Sequence, residues 1–467
     1  MEDVRCAMQD GAMGTDSSAV VPGSAGLGDV RIGARLDMLG LTRRHVVALC
    51  ACAVGFGFDL MEIGLGTVLS AVFSSPGRHM ASTPLALLLS APYWGAVIGA
   101  RVLGGWFGQR FGPRRGMMAA LLLIAAGSFW FALTTAMAGL IALRAATGLA
   151  FGAFSPLMFT YLIEILPPTK RGRLCATVVA VASLGAPLGI LCIRELENTV
   201  LPLEPWRCVF LLGSLGAFVS ALALYYVPES PRWLSSTGRT ASAERAVRQF
   251  ERSQKVSVTQ PRPTSVAPKA PTSRMETPKL LTSQVVLLCV LFFLGPWATT
   301  GFPLLSGATF IAKGFNLHDT LTFVNVATLG PAVATILAAT VFESVDRRTS
   351  ITACALVMAA ALALFAVGRT PMILVVASLC FEIVMALYLT ALNIYTAELV
   401  PTERRAKWTS NAWALNRLGA GLAPLVLIPV LRTYGVSTML AVLNGVSGIM
   451  VLISMLSPRG MTRRSIQ

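Results

Sequence analysis

The sequence is poor in charged residues. Only 13% of its 467 residues are Asp, Glu, Lys or Arg, whereas a soluble domain carries about 25%. Hydrophobic residues make up 55%, and the mean hydropathy is +0.69. A soluble surface needs charge whatever the size of the core beneath it. The deficit therefore excludes an ordinary soluble enzyme or a disordered chain, and it predicts a protein that crosses a membrane many times.

Histidine is also scarce, and the three histidines are too scattered along the chain to predict a metal site. The nine cysteines include no C-x-x-C pair, and most lie in apolar runs, which indicates reduced thiols packed as small core residues. There is no G-x-S-x-G and no phosphate-binding loop. These absences predict a protein without a cofactor and argue against a membrane-embedded enzyme.

Twelve apolar stretches are long enough, or nearly so, to cross about 30 Å of hydrocarbon as helices. The sequence therefore predicts an all-α membrane protein with twelve transmembrane helices. The stretches lie at residues 45–73, 84–107, 116–136, 138–165, 174–194, 207–227, 283–311, 319–342, 350–367, 370–398, 408–432 and 434–457.

These spans divide the chain into five parts. Residues 1–44 are polar and lack the apolar core of a signal peptide, so they are predicted to be a disordered cytoplasmic tail. Two six-helix halves follow at 45–227 and 283–457, separated by a central cytoplasmic loop at 228–282. Residues 458–467 form a C-terminal tail.

The basic residues set the orientation. Most of the 38 Lys and Arg residues lie in the two tails, the central loop and the loops after spans two, four, eight and ten. The positive-inside rule then places both termini and the central loop in the cytoplasm. This placement accounts for the net charge of +16 without nucleic acid. The short loops on the other side favour a bacterial cytoplasmic membrane.

An internal repeat relates the two halves. The chain reads YLIEILPPTKRGR after span four and YTAELVPTERRAK after span ten. Aligning the two strings matches Glu164 with Glu398 and Arg171 with Arg405. A repeat of six spans predicts a transporter with two pseudo-symmetric halves.

With these motifs the sequence resembles the major facilitator superfamily from about residue 45 to 457. The string GWFGQRFGPRRG is similar to the family's G-x-x-x-D-R-x-G-R-R signature, and ALRAATGLAFG and LGAPLG are similar to its motifs in spans four and five. The two E-x-x-P-x-x-x-R boxes and VPESPRWL are typical of sugar-porter-like branches. Span one, GFGFDLMEIGLG, looks like that of the aromatic-acid and nicotinate-type proton symporters. The resemblance implies the major facilitator fold, alternating access and a monomer.

The resemblance also implies a cytoplasmic gate, in which salt bridges between helix ends break as the transporter changes state. Gln109 stands where the family has Asp, so this position can hydrogen-bond but cannot form an ion pair. The alternative is a solvated basic fringe that only sets topology. The gate candidates are Gln109, Arg110, Arg114, Glu164, Arg171, Glu229 and Arg232 in the first half and Asp346, Arg347, Glu398 and Arg405 in the second.

Charges inside hydrocarbon cost several kcal/mol unless they are paired or hydrated, so each is a functional candidate. Asp59 lies near the middle of span one, and Glu62 shares its face three residues later. Burial and a neighbouring like charge both disfavour an ionised carboxyl, as a proton-coupled carrier requires. Arg144, in the basic motif, is predicted to hold an acidic group of span one or five or to meet an anionic substrate. The alternatives are a structural hydrogen bond for Asp59 and a snorkelling Arg144.

Two further charges, Glu382 and Arg417, lie near the middle of spans ten and eleven. The spans are consecutive, so an ion pair between them is the hypothesis, either as a static pair or as part of a cavity wall. Other polar and aromatic residues are candidates to line a substrate cavity, with interhelical hydrogen bonding as the alternative. They are Trp297, Thr300, Tyr388, Asn393 and Asn416.

The sequence thus predicts a symporter that takes up a small organic acid together with protons, and the likeness of span one extends this to aromatic carboxylates. Its partners would be the substrate, protons and membrane lipid. The alternative is proton-driven efflux of drugs or metabolites, because the same carboxyls serve either direction.

Overall fold

A computed structural model describes residues 32–253, 282–344, 346–399 and 402–456. Within these ranges the chain is helical, without a β-strand. Eleven of the described helices are long and apolar enough to cross a membrane. The structure therefore confirms an all-α membrane protein, and the last of these helices accounts for two spans.

That last helix is interrupted at Gly435. Its candidate membrane segment, Asn411–Leu456, has 46 residues. As one straight helix it would extend ~69 Å at 1.5 Å per residue, about twice the thickness of a bilayer core. Gly435 has φ 84° and ψ 175°, a conformation that essentially only glycine adopts. The chain therefore turns there, and the described residues contain the twelve expected spans.

The twelve membrane helices are numbered α1 to α12 in chain order. Helices α5, α7 and α8 each consist of two segments joined at a short break, which in α5 lies at Ser183–Leu184. Helices α11 and α12 are the parts of Thr402–Leu456 before and after Gly435. The bounds are Arg43–Val72, Ser82–Phe111, Pro113–Leu133, Met137–Ile165, Arg171–Leu196, Pro205–Tyr225, Thr282–Thr299 with Gly301–Ala312, Leu317–Ala327 with Gly330–Ser344, Arg347–Val367, Pro371–Leu399 and Thr402–Leu456.

Each half packs mainly against itself. In the first half, α4 packs on α2 and α3, and α3 packs on α6. In the second, α9 packs on α10 and α12, and α7 packs on α11. The backbones of α2 and α4 touch, since a Cβ on Gly148 would lie 2.2 Å from the carbonyl oxygen of Pro92. The halves meet along α1–α7, α2–α11 and α5–α8.

The halves are closed against each other at one end. We call the end at which α1 begins the basic end, because the Arg-rich loops lie there. At the opposite end, the Thr67 hydroxyl donates to the Pro303 carbonyl at 3.1 Å, and the backbone N–H of Ala308 donates to Ser70 Oγ at 3.3 Å. Helix α2 packs on α11 along Ser82–Gly99, whereas its continuation towards the basic end packs on α3 and α4. Among the described residues, the contacts between the halves therefore concentrate away from the basic end.

The described part of the N-terminal tail is ordered, contrary to the disorder expected for residues 1–44. Residues 32–38 form a short helix that buries Leu36. Arg35 donates to Glu244 at 2.7 Å and pairs with Glu251 at 2.8 Å. Charge complementarity and one apolar face dock this segment. The prediction of disorder was based on the composition of the tail alone, which shows neither the acidic partners of Arg35 nor the surface that buries Leu36. The rest of the tail lies outside the described residues.

The central loop begins with two short helices, Pro231–Ser236 and Thr240–Arg252. The second packs Val247 and Phe250 into the core of the first half, where both are fully buried. His45 at the start of α1 stacks on Phe250 with ring centroids 4.7 Å apart. The two helices thus fasten the loop to the basic end of the first half.

Candidate functional site

The two carboxyls of α1 are both buried. Asp59 is 2% exposed and Glu62 is 1% exposed, and they lie one helical turn apart. Glu62 is paired, because Arg144 Nη1 donates to its Oε1 at 2.9 Å. The same nitrogen also donates to the Glu62 backbone carbonyl at 3.3 Å. Arg144 of α4 therefore holds one acidic group of α1.

Aromatic rings enclose this ion pair. The guanidinium carbon of Arg144 lies 5.8 Å from the centroid of the Phe131 ring and 5.9 Å from that of Phe210. Rings at this distance attract a cation through their electron-rich faces. Glu62 and Arg144 thus neutralise each other within the first half, and neither charge requires a partner from another helix.

Asp59 has no such partner. Its Oδ1 is buried and accepts no hydrogen bond in the described part of the chain. The charges that act on it electrostatically are Glu62 on its own helix and Arg417 on α11, in the other half. Arg417 does not approach to ion-pair distance. A buried, unpaired carboxylate is costly, so Asp59 is suited to bind and release a proton.

Arg417 is the counterpart of Asp59 across the halves. Its guanidinium carbon lies 5.7 Å from the ring centroid of Trp413, one turn earlier on α11. It acts electrostatically on Asp59 and on the buried Tyr93 of α2. A guanidinium has five N–H donors, and among the described residues none of them donates a hydrogen bond to protein. Arg417 can therefore receive a carboxylate.

The structure does not form the ion pair expected between Glu382 and Arg417. Glu382 is 6% exposed and lies against α8 at Gly330. Helix α10 packs on α8 and α9, whereas α11 packs on α2 and α7, so the two helices barely touch although they are consecutive. The pair was predicted because the two spans are consecutive in the chain. In the structure these spans pack against different helices, so the two charges are apart.

The remaining cavity candidates lie in the second half. Trp297 Nε1 and Tyr388 Oη are buried without a hydrogen-bond partner among the described residues, and Tyr388 lies against α7. Asn416, beside Arg417 on α11, is 6% exposed. Thr300 occupies the break in α7 and Asn393 lies on α10, both half-buried. These groups supply hydrogen-bonding capacity that the described protein leaves unused.

Sequence reasoning did not identify Tyr93 or Trp413 as site residues. Trp413 precedes Arg417 by four residues, the spacing at which helical side chains meet, so a signal for it existed. Tyr93 carries no local signal, because its role depends on how α2 packs against α11.

At the basic end, Glu229 caps α3. Its carboxylate accepts hydrogen bonds from the backbone N–H groups of Arg114 at 3.0 Å and Arg115 at 3.4 Å. The Arg114 side chain donates to the Val227 carbonyl at 2.5 Å and lies 3.9 Å from the Glu229 carboxylate. Burial raises the pKa of Glu229, while the helix N-terminus and Arg114 oppose that rise. This contact ties the end of α6 to α3.

Two further gate candidates share an unexpected partner. Arg232 lies 2.5 Å and Arg171 lies 3.9 Å from the Asp37 carboxylate of the N-terminal segment. The backbone carbonyl of Gln109 accepts from the Trp233 indole at 3.3 Å. The other two first-half candidates lie near helix ends of this region, Arg110 and Glu164.

The second-half candidates are described only in part. Asp346 is the N-cap of α9, and its carboxylate accepts from the Thr349 N–H at 3.4 Å. Arg347 follows as the first residue of α9 and is half-buried. The side chains of Glu398 and Arg405 lie outside the described part of the chain. Their proposed gate role remains a prediction.

Two pseudo-symmetric helical halves, closed at one end around buried charges, define a membrane transporter of the alternating-access type. Residues 47–424 match the Major Facilitator Superfamily family model, and the chain belongs to that family. It is a multi-pass transporter and not an enzyme.

The chain is similar to several bacterial transport proteins. It is 28% identical over 431 residues to the putative metabolite transport protein YdjK of Escherichia coli, covering 90% of this chain and 93% of the relative. It is 24% identical over 408 residues to the niacin transporter NiaP of Acinetobacter baylyi, covering 84% and 89%. The fold is similar to the inward-open conformation of the xylose transporter XylE from E. coli, with a TM-score of 0.70, 19% identity and coverage of 90% and 97%.

Proposed function

We propose that the protein is a proton-coupled symporter that takes up a small organic acid, with aromatic carboxylates as the favoured class. One observation carries the proposal. Among the described residues, Asp59 is a carboxyl without an ion-pair partner and Arg417 is a guanidinium without one, and the two lie within electrostatic range of each other on opposite halves. A proton and a carboxylate are the ligands that these two groups would accept.

The coupling follows from electrostatics. Arg417 would bind the substrate carboxylate through paired N–H donors, the geometry at which arginine excels. An ionised Asp59 competes with that carboxylate for the same cation, and a protonated Asp59 does not. Substrate anion and proton would therefore enter together. Glu62 stays out of this exchange because Arg144 already neutralises it.

The surroundings of Arg417 favour aromatic acids. Tyr93 and Trp413 border the guanidinium, and Trp297 on the adjacent α7 has an unused indole N–H. Aromatic rings pack well against such a shell. The likeness to a niacin transporter is consistent with a heteroaromatic carboxylate.

The proposed direction of transport depends on the orientation of the protein in the membrane. With the basic end in the cytoplasm, the contacts at the opposite end would close the site to the outside, in the bacterial cytoplasmic membrane. Rocking of the two halves, acting as a monomer, would then expose Asp59 and Arg417 to each side in turn. The gate candidates at the basic end would close when the opposite end opens.

Proteoliposome transport tests this function. Radiolabelled nicotinate and benzoate are offered with an imposed acid-outside gradient. The wild-type protein should accumulate one of them. Asp59→Asn should lose accumulation but keep exchange, since exchange needs no net proton movement, and Arg417→Gln should lose both. Glu195→Gln, whose side chain is 65% exposed, is the control and should behave like wild type. Undiminished accumulation by Asp59→Asn would contradict the proposal.

The same free carboxyl also keeps proton-driven efflux as a second candidate, because an ionised Asp59 would attract a lipophilic cation. The direction of transport separates the two. Export of lipophilic cations by inside-out vesicles, together with no carboxylate uptake, would favour efflux.

A further inference from the structure

Arg417 stays out of ion-pair contact with Asp59, although opposite charges attract strongly in a low-dielectric interior. We propose that Trp413 is a positioning residue that holds the Arg417 guanidinium away from Asp59, so that the cation stays available to the substrate and the carboxyl to the proton. This inference rests on the proposed function, and nothing in the sequence motifs assigns a role to Trp413.

The geometry suits that role. The Trp413 ring and the Arg417 guanidinium lie 5.7 Å apart, centroid to carbon, on adjacent turns of α11. The indole is itself braced, because Phe292 of α7 packs on it with ring centroids 6.1 Å apart and planes at 68°. Helix α11 is pressed on α7 at Gly419, where any Cβ would meet the Phe293 backbone carbonyl. A ring fixed in this way gives the cation a defined place to stack.

The other charges around Asp59 do not compete for it. On the same helix as Asp59, Glu62 forms an ion pair with Arg144 at 2.9 Å. From α2, the buried Tyr93 lies near Arg417 and Arg144 but is a neutral phenol at physiological pH. Helices α5, α6 and α7, which also pack on α1, contribute no charged group that acts on Asp59 in the described chain. Arg417 is thus the described cation able to neutralise Asp59.

Removing the indole should release the guanidinium. Arg417 would then pair with Asp59, and a substrate carboxylate would have to break that pair in order to bind. Affinity for the substrate should fall, and protonation of Asp59 should move to lower pH, because the nearer cation favours its ionised form. A wall residue that merely touched substrate would lower affinity without moving the protonation of Asp59.

The test compares Trp413→Leu, Trp413→Phe and Trp413→Leu with Asp59→Asn. Nicotinate binding is measured by calorimetry on purified protein between about pH 6 and pH 8, where a small carboxylic acid is ionised. Trp413→Leu should weaken binding about tenfold, the equivalent of a partly desolvated cation–π contact. Trp413→Phe, which keeps an aromatic face, should stay within about threefold of wild type. In the Asp59→Asn background the Leu change should cost only about threefold, since the guanidinium has no anion to approach and only the packing of the indole on the substrate is lost.

Infrared titration provides a readout without substrate. The carbonyl band of protonated Asp59, assigned by its loss in Asp59→Asn, should titrate at lower pH in Trp413→Leu than in wild type. An unshifted band, or an equal loss of nicotinate affinity with and without Asp59, would overturn the positioning role. If wild type binds neither nicotinate nor benzoate, the proposed function fails, whereas the infrared shift still decides whether Trp413 positions Arg417.

Discussion

The ion pair between Glu62 and Arg144 is buried on both sides, with each side chain 2% exposed. Breaking such a pair by removing one partner leaves an uncompensated charge and costs about 3–5 kcal/mol. The two single variants should nevertheless differ. In Glu62→Gln the remaining charge is a guanidinium, which cannot lose its proton. Its cost should therefore be independent of pH.

In Arg144→Gln the remaining charge is a carboxylate, and a proton can neutralise it. This variant also loses the contacts with Phe131 and Phe210, up to about 2 kcal/mol each at a desolvated site. Its destabilisation should be large at neutral pH and should shrink as the pH is lowered. The cost at low pH should approach that of the lost ring contacts and packing.

Thermal unfolding in one detergent, at several pH values, measures these costs. The double variant Glu62→Gln with Arg144→Gln should be more stable than the sum of the single losses predicts, because it contains no orphaned charge. Asp59→Asn serves as the control, since it removes a carboxyl that has no ion-pair partner. Additive losses, or an equal pH dependence of the two single variants, would refute the assignment of a tight, isolated pair.

Three other changes test the fold. Gly148→Ala should cost about 1–3 kcal/mol, because its Cβ would meet a backbone oxygen of α2 at 2.2 Å; Gly104→Ala, with ordinary spacing, is the matched control in a melting assay. Gly435→Ala should cost about 1–3 kcal/mol through its backbone conformation, whereas Gly445→Ala, a helical position with open space, should leave stability unchanged or raise it by up to about 1 kcal/mol. Glu229→Ala should cost about 1 kcal/mol by uncapping two backbone N–H donors of α3, and unchanged melting would contradict the cap.

The membrane helices could be predicted from the sequence because the requirement that sets them is local. A span must hide its own backbone hydrogen bonds in about 20 apolar residues, and that run is visible in the chain. Even the turn between α11 and α12 was predictable within a few residues, since a mostly apolar run of 46 residues is too long to cross the membrane once. The ordered structure of the N-terminal segment could not be predicted, because the acidic partners of Arg35 lie about 210 residues away in the chain.

The candidate site was predictable as a set of residues but not as a set of partners. Asp59, Glu62, Arg144 and Arg417 stand out because charge is rare in hydrocarbon. Which carboxyl meets which arginine depends on helix packing. The pairing of consecutive helices was the wrong guide for Arg417, which faces α1 and α2 and leaves Glu382 on α10 without it.

The resulting arrangement divides the four charges unequally between the halves. Of these four, the first half contains a neutral pair and one additional carboxyl, and the second half contains Arg417. Alternating access moves the halves relative to each other while leaving each largely rigid, so the distance between Glu62 and Arg144 should persist throughout the cycle. The distance between Asp59 and Arg417 spans the moving interface and must change. If the transport motion changes the separation of these two charges, proton binding at Asp59 becomes linked to the state of the transporter.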